Sequence, residues 1–397
     1  MPTKFFALLF FLFLFACQKD SSPTVSENET EIPTFDYLVS ASKIKEVSSS
    51  SIAVFAGLFL PEDFTSSFNN VTGYQIIYKT PYGGETIEAS GLLLVPNSTD
   101  ALPLISFQHG TLTDLSNTPS AFKLDRNEAT IGAIAASIGY VVMLPDYIGY
   151  GVSEDLPHPY EVGESLGTVS LDMLRAALEY LETEEINHTD KLFLAGYSEG
   201  GYATMALLQQ LEQTTSLEVT HASLGAGAYN KTGFSEAIFQ KDEPLTFMTT
   251  YLWVLHTYNT LYSELNRSWS ALVNAPYAAQ LEAISDWKTH ADWSGLETNP
   301  QVLFTADLLA EFNSENSPLK RAIAKNDLHN WAPKTPLTLF HGTADDFVFP
   351  LNSETTFEAM RNQGVQIDYI SLEGKNHQTA VLPYIEQTLR LFEQLKN

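Results

Sequence analysis

The chain has 397 residues, with 48 acidic against 21 basic side chains for a formal net charge of −27, and 44% of it is hydrophobic. That length and apolar content suit one globular domain carrying an insertion. The acidity excludes the basic patches that nucleic acid or an anionic surface would require, and reads as a solvated surface. At the N-terminus, Met1 to Ala16 holds one early cation, Lys4, and an unbroken apolar run from Phe5 to Ala16. This run is too short for a membrane span and reads as a signal peptide over residues 1–16.

The run ends in Leu14-Phe15-Ala16-Cys17, which resembles the lipobox of bacterial lipoproteins. The resemblance implies that Cys17 is lipidated and becomes the first residue of the mature chain, with the lipid membrane as its partner. The bland alternative is an ordinary cysteine in a hydrophobic leader. Gln18, in place of aspartate, implies by the same resemblance an outer-membrane anchor, on the periplasmic or the outer face. Residues 17–34 then read as lipidated cysteine and disordered tether, since little after Cys17 can be buried. Such a tether reaches roughly 20–25 Å. Cys17 is the one cysteine of the chain, so no internal disulfide can form and the core alone must hold the fold.

Beyond the tether, strand and helix signals alternate. Residues 48–59 are apolar but of open type. Tyr74–Lys79 and Thr86–Val95 flank Pro81-Tyr82-Gly83-Gly84 and read as an antiparallel hairpin. Leu102–Gln108 and Tyr140–Leu144 read as buried strands, and Leu166–Glu182 as a helix with Val169, Met173, Ala176 and Tyr180 on one stripe. Lys191–Ala195 is a further strand, Gly201–Leu211 a helix, and Val219–Leu224 a sixth strand of weaker pattern. Pro336–Phe340 and Gln366–Ile370 complete the strands, and Ala380–Leu395 is a last helix with Ile385, Leu389 and Phe392 inward. This alternation predicts an α/β fold, a mostly parallel sheet covered on both faces, with ligand chemistry at the carboxyl ends of the strands. Asp146 lies at such an end and reads as a polar residue closing its strand.

Residues 231–335 break the alternation with several helical segments and no good strand. All five tryptophans, Trp253, Trp269, Trp287, Trp293 and Trp331, fall there. Most of these aromatics read as the segment's own core, yet its composition suggests an apolar or aromatic-lined cleft. Arg267 and Lys288 are long enough to meet a substrate carboxylate, though nothing singles them out.

Gly196-Tyr197-Ser198-Glu199-Gly200 sits between the strand 191–195 and the helix 201–211. Gly-x-Ser-x-Gly in that position is a nucleophile elbow, a turn sharp enough to strain the serine backbone. A serine hydroxyl needs a base to take its proton, so a histidine and an acid should accompany it. Downstream, His341-Gly342-Thr343-Ala344-Asp345-Asp346-Phe347-Val348 follows one strand and Gly374-Lys375-Asn376-His377 follows the next.

These motifs resemble the α/β-hydrolases, whose nucleophile, acid and histidine occur in this order. The resemblance implies an eight-stranded sheet with a helical cap inserted after the sixth strand. It also implies Ser198 as nucleophile, His377 as general base and then acid, and Asp345 as the residue orienting the imidazole. Asp346 is the rival acid, one residue of loop slip away. Two backbone N–H groups would hold the oxyanion, from Glu199 and from Thr111 in Gln108-His109-Gly110-Thr111, with Leu112 as the alternative to Thr111. The Glu199 side chain is then free of that role, and His109 reads as bonding within its own loop.

The chain beyond the tether resembles the secretory-lipase-like branch of this superfamily. The points of likeness are Gln108-His109-Gly110-Thr111, Asp146-Tyr147-Ile148-Gly149-Tyr150-Gly151, Gly196 to Gly201, and the aromatic segment before His341-Gly342. The implied organisation is a core over 35–230 and 336–397 with a cap, or lid, over 231–335. The implied function is hydrolysis of small-molecule carboxylic esters through an acyl-enzyme, as an esterase or lipase. A serine peptidase of the same fold, or a hydrolase-like binding protein without turnover, are the other readings. No cofactor, metal or nucleic-acid partner is expected, since neither a Gly-Lys-Ser/Thr phosphate loop nor a His-Glu-x-x-His helix occurs.

Overall fold

The computed structural model describes residues 35–396 apart from 62–67, 126–127, 291 and 315–316. The expected signal peptide, Cys17 and tether lie outside the described residues. Nine strands make one sheet: β1 (Leu38–Val47), β2 (Val71–Tyr82), β3 (Glu85–Pro96), β4 (Leu102–Gln108), β5 (Val141–Pro145), β6 (His188–Tyr197), β7 (His221–Gly225), β8 (Leu337–Gly342) and β9 (Ile367–Leu372). Their order is β1-β2-β3-β5-β4-β6-β7-β8-β9. The hairpin expected around Pro81-Tyr82-Gly83-Gly84 is the β2–β3 pair, in antiparallel register from Val71 opposite Pro96 to Tyr82 opposite Glu85. From β5 onward every neighbouring pair is parallel.

The sheet has one strand more than the eight expected. The extra strand, β1, pairs antiparallel with β2 at the sheet edge. Only its two end residues, Leu38 and Val47, are buried. An edge strand with solvated side chains has no apolar alternation to announce it, and lysines such as Lys43 and Lys45 suit an edge that must not recruit another strand.

Helices α1 (Ser49–Phe59), α2 (Glu128–Ser137) and α13 (Val381–Leu395) cover one face, where Ile52, Ile134 and Phe392 pack on Ile105, Val142 and Phe193. Helices α3 (Gly163–Thr183), α4 (Glu199–Thr214) and α12 (Leu351–Asn362) cover the other, where Leu166, Met173, Leu207 and Met360 pack on Leu194, Leu224 and Leu339. Full burial of each such side chain contributes about 1.5–3 kcal/mol. The open segment at 48–59 is a helix because the Ser48 hydroxyl accepts from Ser51 N at 3.2 Å and caps its first turn. Helix α2 has no polar stripe: Ala129 to Ser137 are all buried, so it lacks the 3.6-residue period that marks an amphipathic helix.

Between β7 and β8 lie α5 (Lys231–Phe239), α6 (Met248–Leu261), α7 (Trp269–Leu272), α8 (Tyr277–Glu282), α9 (Pro300–Leu303), α10 (Ala306–Phe312) and α11 (Pro318–Ala324). They enclose a separate apolar cluster built on residues such as Phe234, Leu252, Trp269, Leu303 and Leu319. Trp253, Trp269, Trp287 and Trp293 belong to that cluster or pack on it, whereas Trp331 packs on the sheet-side core.

Candidate active site

Ser198 is the first residue beyond β6 and stands at the N-terminus of α4, with φ 61° and ψ −126°. A side chain rarely adopts that backbone, and here neighbours on both sides hold it. Ser198 N donates to Gly225 O of β7 at 2.8 Å, and Tyr202 N donates to Ser198 O at 3.1 Å. The turn closes so tightly that a Cβ on Gly196 would strike Gly200 O, and one on Gly200 would strike Gln108 O. Both flanking positions therefore require glycine.

The loops after β8 and β9 reach the same strand ends. His377 Nε2 lies 2.8 Å from Ser198 Oγ, and His377 Nδ1 lies 2.7 Å from Asp345 Oδ2. Asp345 is buried and its neighbour Asp346 is exposed, so Asp345 is the carboxylate facing the imidazole. Asp345 Oδ1 accepts from Phe347 N at 2.9 Å and Val348 N at 3.0 Å, which fixes the carboxylate plane. Burial pushes the Asp345 carboxyl up, but the hydrogen bonds from His341 and His377 outweigh it and hold the group down at about 2. The His377 loop is tied in turn by Tyr197 OH, which donates to His377 O at 2.7 Å.

Gly110 and Thr111 cross beside the serine, and with Ser198, His377, Tyr197 and Phe347 they line a cavity of about 210 Å³. Thr111 Oγ1 lies 2.8 Å from Tyr160 OH. The His109 ring nitrogens face the carbonyls of Gly110 at 2.7 Å and Asp146 at 3.1 Å, so His109 bonds within its surroundings, away from the serine. Asp146 accepts from Ser90 Oγ at 2.6 Å and Ser120 N at 2.8 Å, which makes it a buried tie between strand and loop.

The partnerships of Glu199 and His341 had no signal of their own in the sequence, although both residues stand in its motifs. The Glu199 side chain is buried, with Oε1 at 2.7 Å from His158 Nε2. His158 stands between two prolines in an irregular loop, where no period marks it. His341 is buried between Ser353 Oγ and Val348 O, each at 2.7 Å from a ring nitrogen. Lys288 and Arg267, the two cations weighed for a substrate carboxylate, are both occupied. Lys288 Nζ donates to the carbonyls of Gly149, Glu154 and Leu156 at 2.8, 2.6 and 2.9 Å, and so uses all three ammonium protons. Arg267 pairs with Glu311.

A second cavity, of about 100 Å³, lies among α5, α6 and α11, walled by Phe234, Ile238, Val254, Leu255, Phe304 and Ile323. Phe347 lines both cavities, and Tyr160, the partner of Thr111, lines the second. The buried ion pair of Lys231 with Glu161 also lies in its wall.

Among solved structures, the fold is similar to that of a Legionella pneumophila protein at TM-score 0.81, with 24% identity, 91% of this chain and 99% of that one covered. It is also similar to the rice cell wall degrading esterase LipA from Xanthomonas oryzae at TM-score 0.73, with 21% identity and coverage of 91% and 99%. At these identities the likeness concerns the fold, an α/β-hydrolase fold. Lipase 6 of Candida albicans is 26% identical over 198 residues, which are 46% of this chain and 40% of that protein. The chain spans about half the length of the curated relatives it matches. Residues 120–394, from ahead of α2 into the last turn of α13, match the model of one family, and on that match the chain belongs to the secretory lipase family.

Proposed function

We propose that the protein is a serine carboxylic-ester hydrolase with Ser198 as nucleophile. The observation that carries this reading is the unbroken hydrogen-bonded series Ser198–His377–Asp345 on a strained strand-to-helix turn. In the proposed reaction Ser198 Oγ attacks the ester carbonyl carbon while its proton passes to His377 Nε2. The carbonyl electron pair moves to oxygen, and the backbone N–H groups of Glu199 and Thr111 receive it. Each such donor stabilises the transition state by about 2.7–4 kcal/mol. Asp345, ionised and fixed by Phe347 and Val348, holds the imidazolium in place. Collapse expels the alcohol, which takes the proton from His377, and leaves Ser198 acylated. A water then gives its proton to His377 and attacks the acyl carbon, and collapse releases the acid while the leaving Ser198 Oγ takes the proton back from His377.

The segment 231–335 acts in this reading as a cap that chooses the acyl chain, in the apolar cavity adjoining the site across Phe347. Discrimination has to come from walls, because an ester carbonyl looks alike whatever chain it carries, and each accommodated methylene is worth roughly 1–3 kcal/mol. Filling the cavity by Ile238→Trp should lower kcat/KM for the p-nitrophenyl octanoyl ester ten- to a hundredfold and leave the acetyl ester within about threefold. Parallel changes for both esters would move the acyl site elsewhere. In the same panel, wild-type protein that cleaves aminoacyl p-nitroanilides in preference to every ester would favour the peptidase reading.

Export and anchoring through Cys17 belong to the same proposal and rest on Leu14-Phe15-Ala16-Cys17 and the apolar run before it. Cells fed a labelled fatty acid should incorporate it into the wild-type protein and not into Cys17→Ser. Equal labelling of the two would remove the lipid anchor.

A further inference from the structure

We infer that His158 is a positioning residue for ester hydrolysis, acting through the Glu199 side chain on the oxyanion site. The inference rests on the reading of Ser198 as nucleophile and of the Glu199 and Thr111 N–H groups as oxyanion donors. Glu199 follows the nucleophile directly, yet its carboxyl is turned inward and both its side chain and that of His158 are fully buried. His158 Nδ1 lies 2.7 Å from Ile148 O. A carbonyl only accepts, so Nδ1 carries a proton. One more proton must then lie between Nε2 and Glu199 Oε1, 2.7 Å apart. On nitrogen it makes an imidazolium facing a carboxylate; on oxygen it makes an imidazole facing a carboxylic acid. In either arrangement the pair carries no net charge.

Neutrality matters at this place. The N–H of Glu199 must face a developing negative charge, and a bare carboxylate on the same residue would oppose it in surroundings that screen poorly. Glu199 Oε2 is buried without a hydrogen-bond partner among the described residues, so His158 is the side chain that offsets that charge. Two apolar side chains would fill the space at lower desolvation cost, and a stability role alone does not call for the pair.

The loop that carries His158 also braces the other donor. Tyr147 OH donates to His109 O at 3.1 Å and Tyr150 OH to Leu112 O at 2.7 Å, while Tyr160 OH meets Thr111 Oγ1 at 2.8 Å. The His158 ring packs among Tyr150, Tyr160 and Trp253, with centroids 4.8, 5.9 and 5.9 Å away. Residues 147–160 thus touch both sides of the oxyanion site, and His158 is their contact with the nucleophile side. A displacement near 1 Å there can cost about a hundredfold in rate.

The test uses the full chain and p-nitrophenyl butyrate, with thermal unfolding measured beside each kinetic constant. Glu199→Ala and His158→Ala should lower kcat ten- to a hundredfold and leave KM within about threefold. Glu199→Gln should recover most of the loss, because its amide donates to His158 Nε2 and brings no charge. Adding Glu199→Gln to His158→Ala should raise kcat above that of His158→Ala alone, since it removes the unpaired carboxylate; a purely structural role would show no such gain. Should His158→Ala not fold, the comparison of Glu199→Gln with Glu199→Ala still decides. Wild-type kcat in Glu199→Ala, or equal kcat in the alanine and glutamine variants, would overturn the inference while Ser198→Ala stays inactive. Undiminished hydrolysis by Ser198→Ala would instead remove the reading on which it rests.

Discussion

Ser198→Ala should lower kcat by about 10⁶-fold, because in the proposed mechanism the nucleophile and its base act as one unit and removing either member forfeits their joint contribution. The residual rate should be the small excess over water that bound substrate and oxyanion donors supply by themselves. Alanine is one oxygen smaller than serine and meets the same backbone at φ 61°, so the fold should persist, as read from far-UV circular dichroism. A small phosphonate should add covalently to Ser198 of the wild type, seen as one mass increment on the peptide containing it, and to no other residue. A wild-type rate in the alanine variant would end the acyl-enzyme mechanism.

The histidine and the acid should differ in severity. His377→Ala removes the proposed base and should match the serine variant at about 10⁶-fold in kcat, whereas Asp345→Asn should cost about 10⁴-fold by spoiling the imidazole's orientation. Asp346→Ala should stay within about threefold, since Asp346 is exposed and the carboxylate at His377 Nδ1 is that of Asp345. An inverted order of the two aspartates would move the acid to 346 and leave the rest of the mechanism intact. Asp345 adds a stability effect of known sign. Its folded pKa of about 2 lies below the ordinary carboxylate value. Its ionised form therefore contributes stability that is complete above about pH 4 and is lost as the pH falls towards 2. Acid unfolding followed by tryptophan fluorescence should be less steep across that window in Asp345→Asn than in the wild type.

Much of this architecture was legible from local pattern. The elbow is a short-range object: two glycines, a serine, an apolar strand before it and a helix after it all lie within about twenty residues. The hairpin at Pro81 to Gly84 and the strands at 102–108, 141–145 and 337–342 declared themselves because buried strands are apolar runs bounded by turn residues. The same logic failed where burial pattern and structure part company. Strand β1 is nearly all exposed and α2 nearly all buried, so neither carries a period, and α12 was missed although it begins only six residues beyond Asp345.

Side-chain partnership across the fold was decided by tertiary structure alone. The motif after β8 offered two adjacent aspartates, and only the path of that turn buries Asp345 against His377 and leaves Asp346 in solvent. Lys288 looked available for a ligand until the fold brought three carbonyls from residues 149–156 around its ammonium. Glu199 and His158 are 41 residues apart, and neither has a neighbour in sequence that hints at the other. A turn or a buried strand follows from forces between residues close along the chain, which composition and spacing record. A buried polar pair follows from which surfaces the completed sheet and its loops press together, and chain order does not encode that meeting in any local pattern.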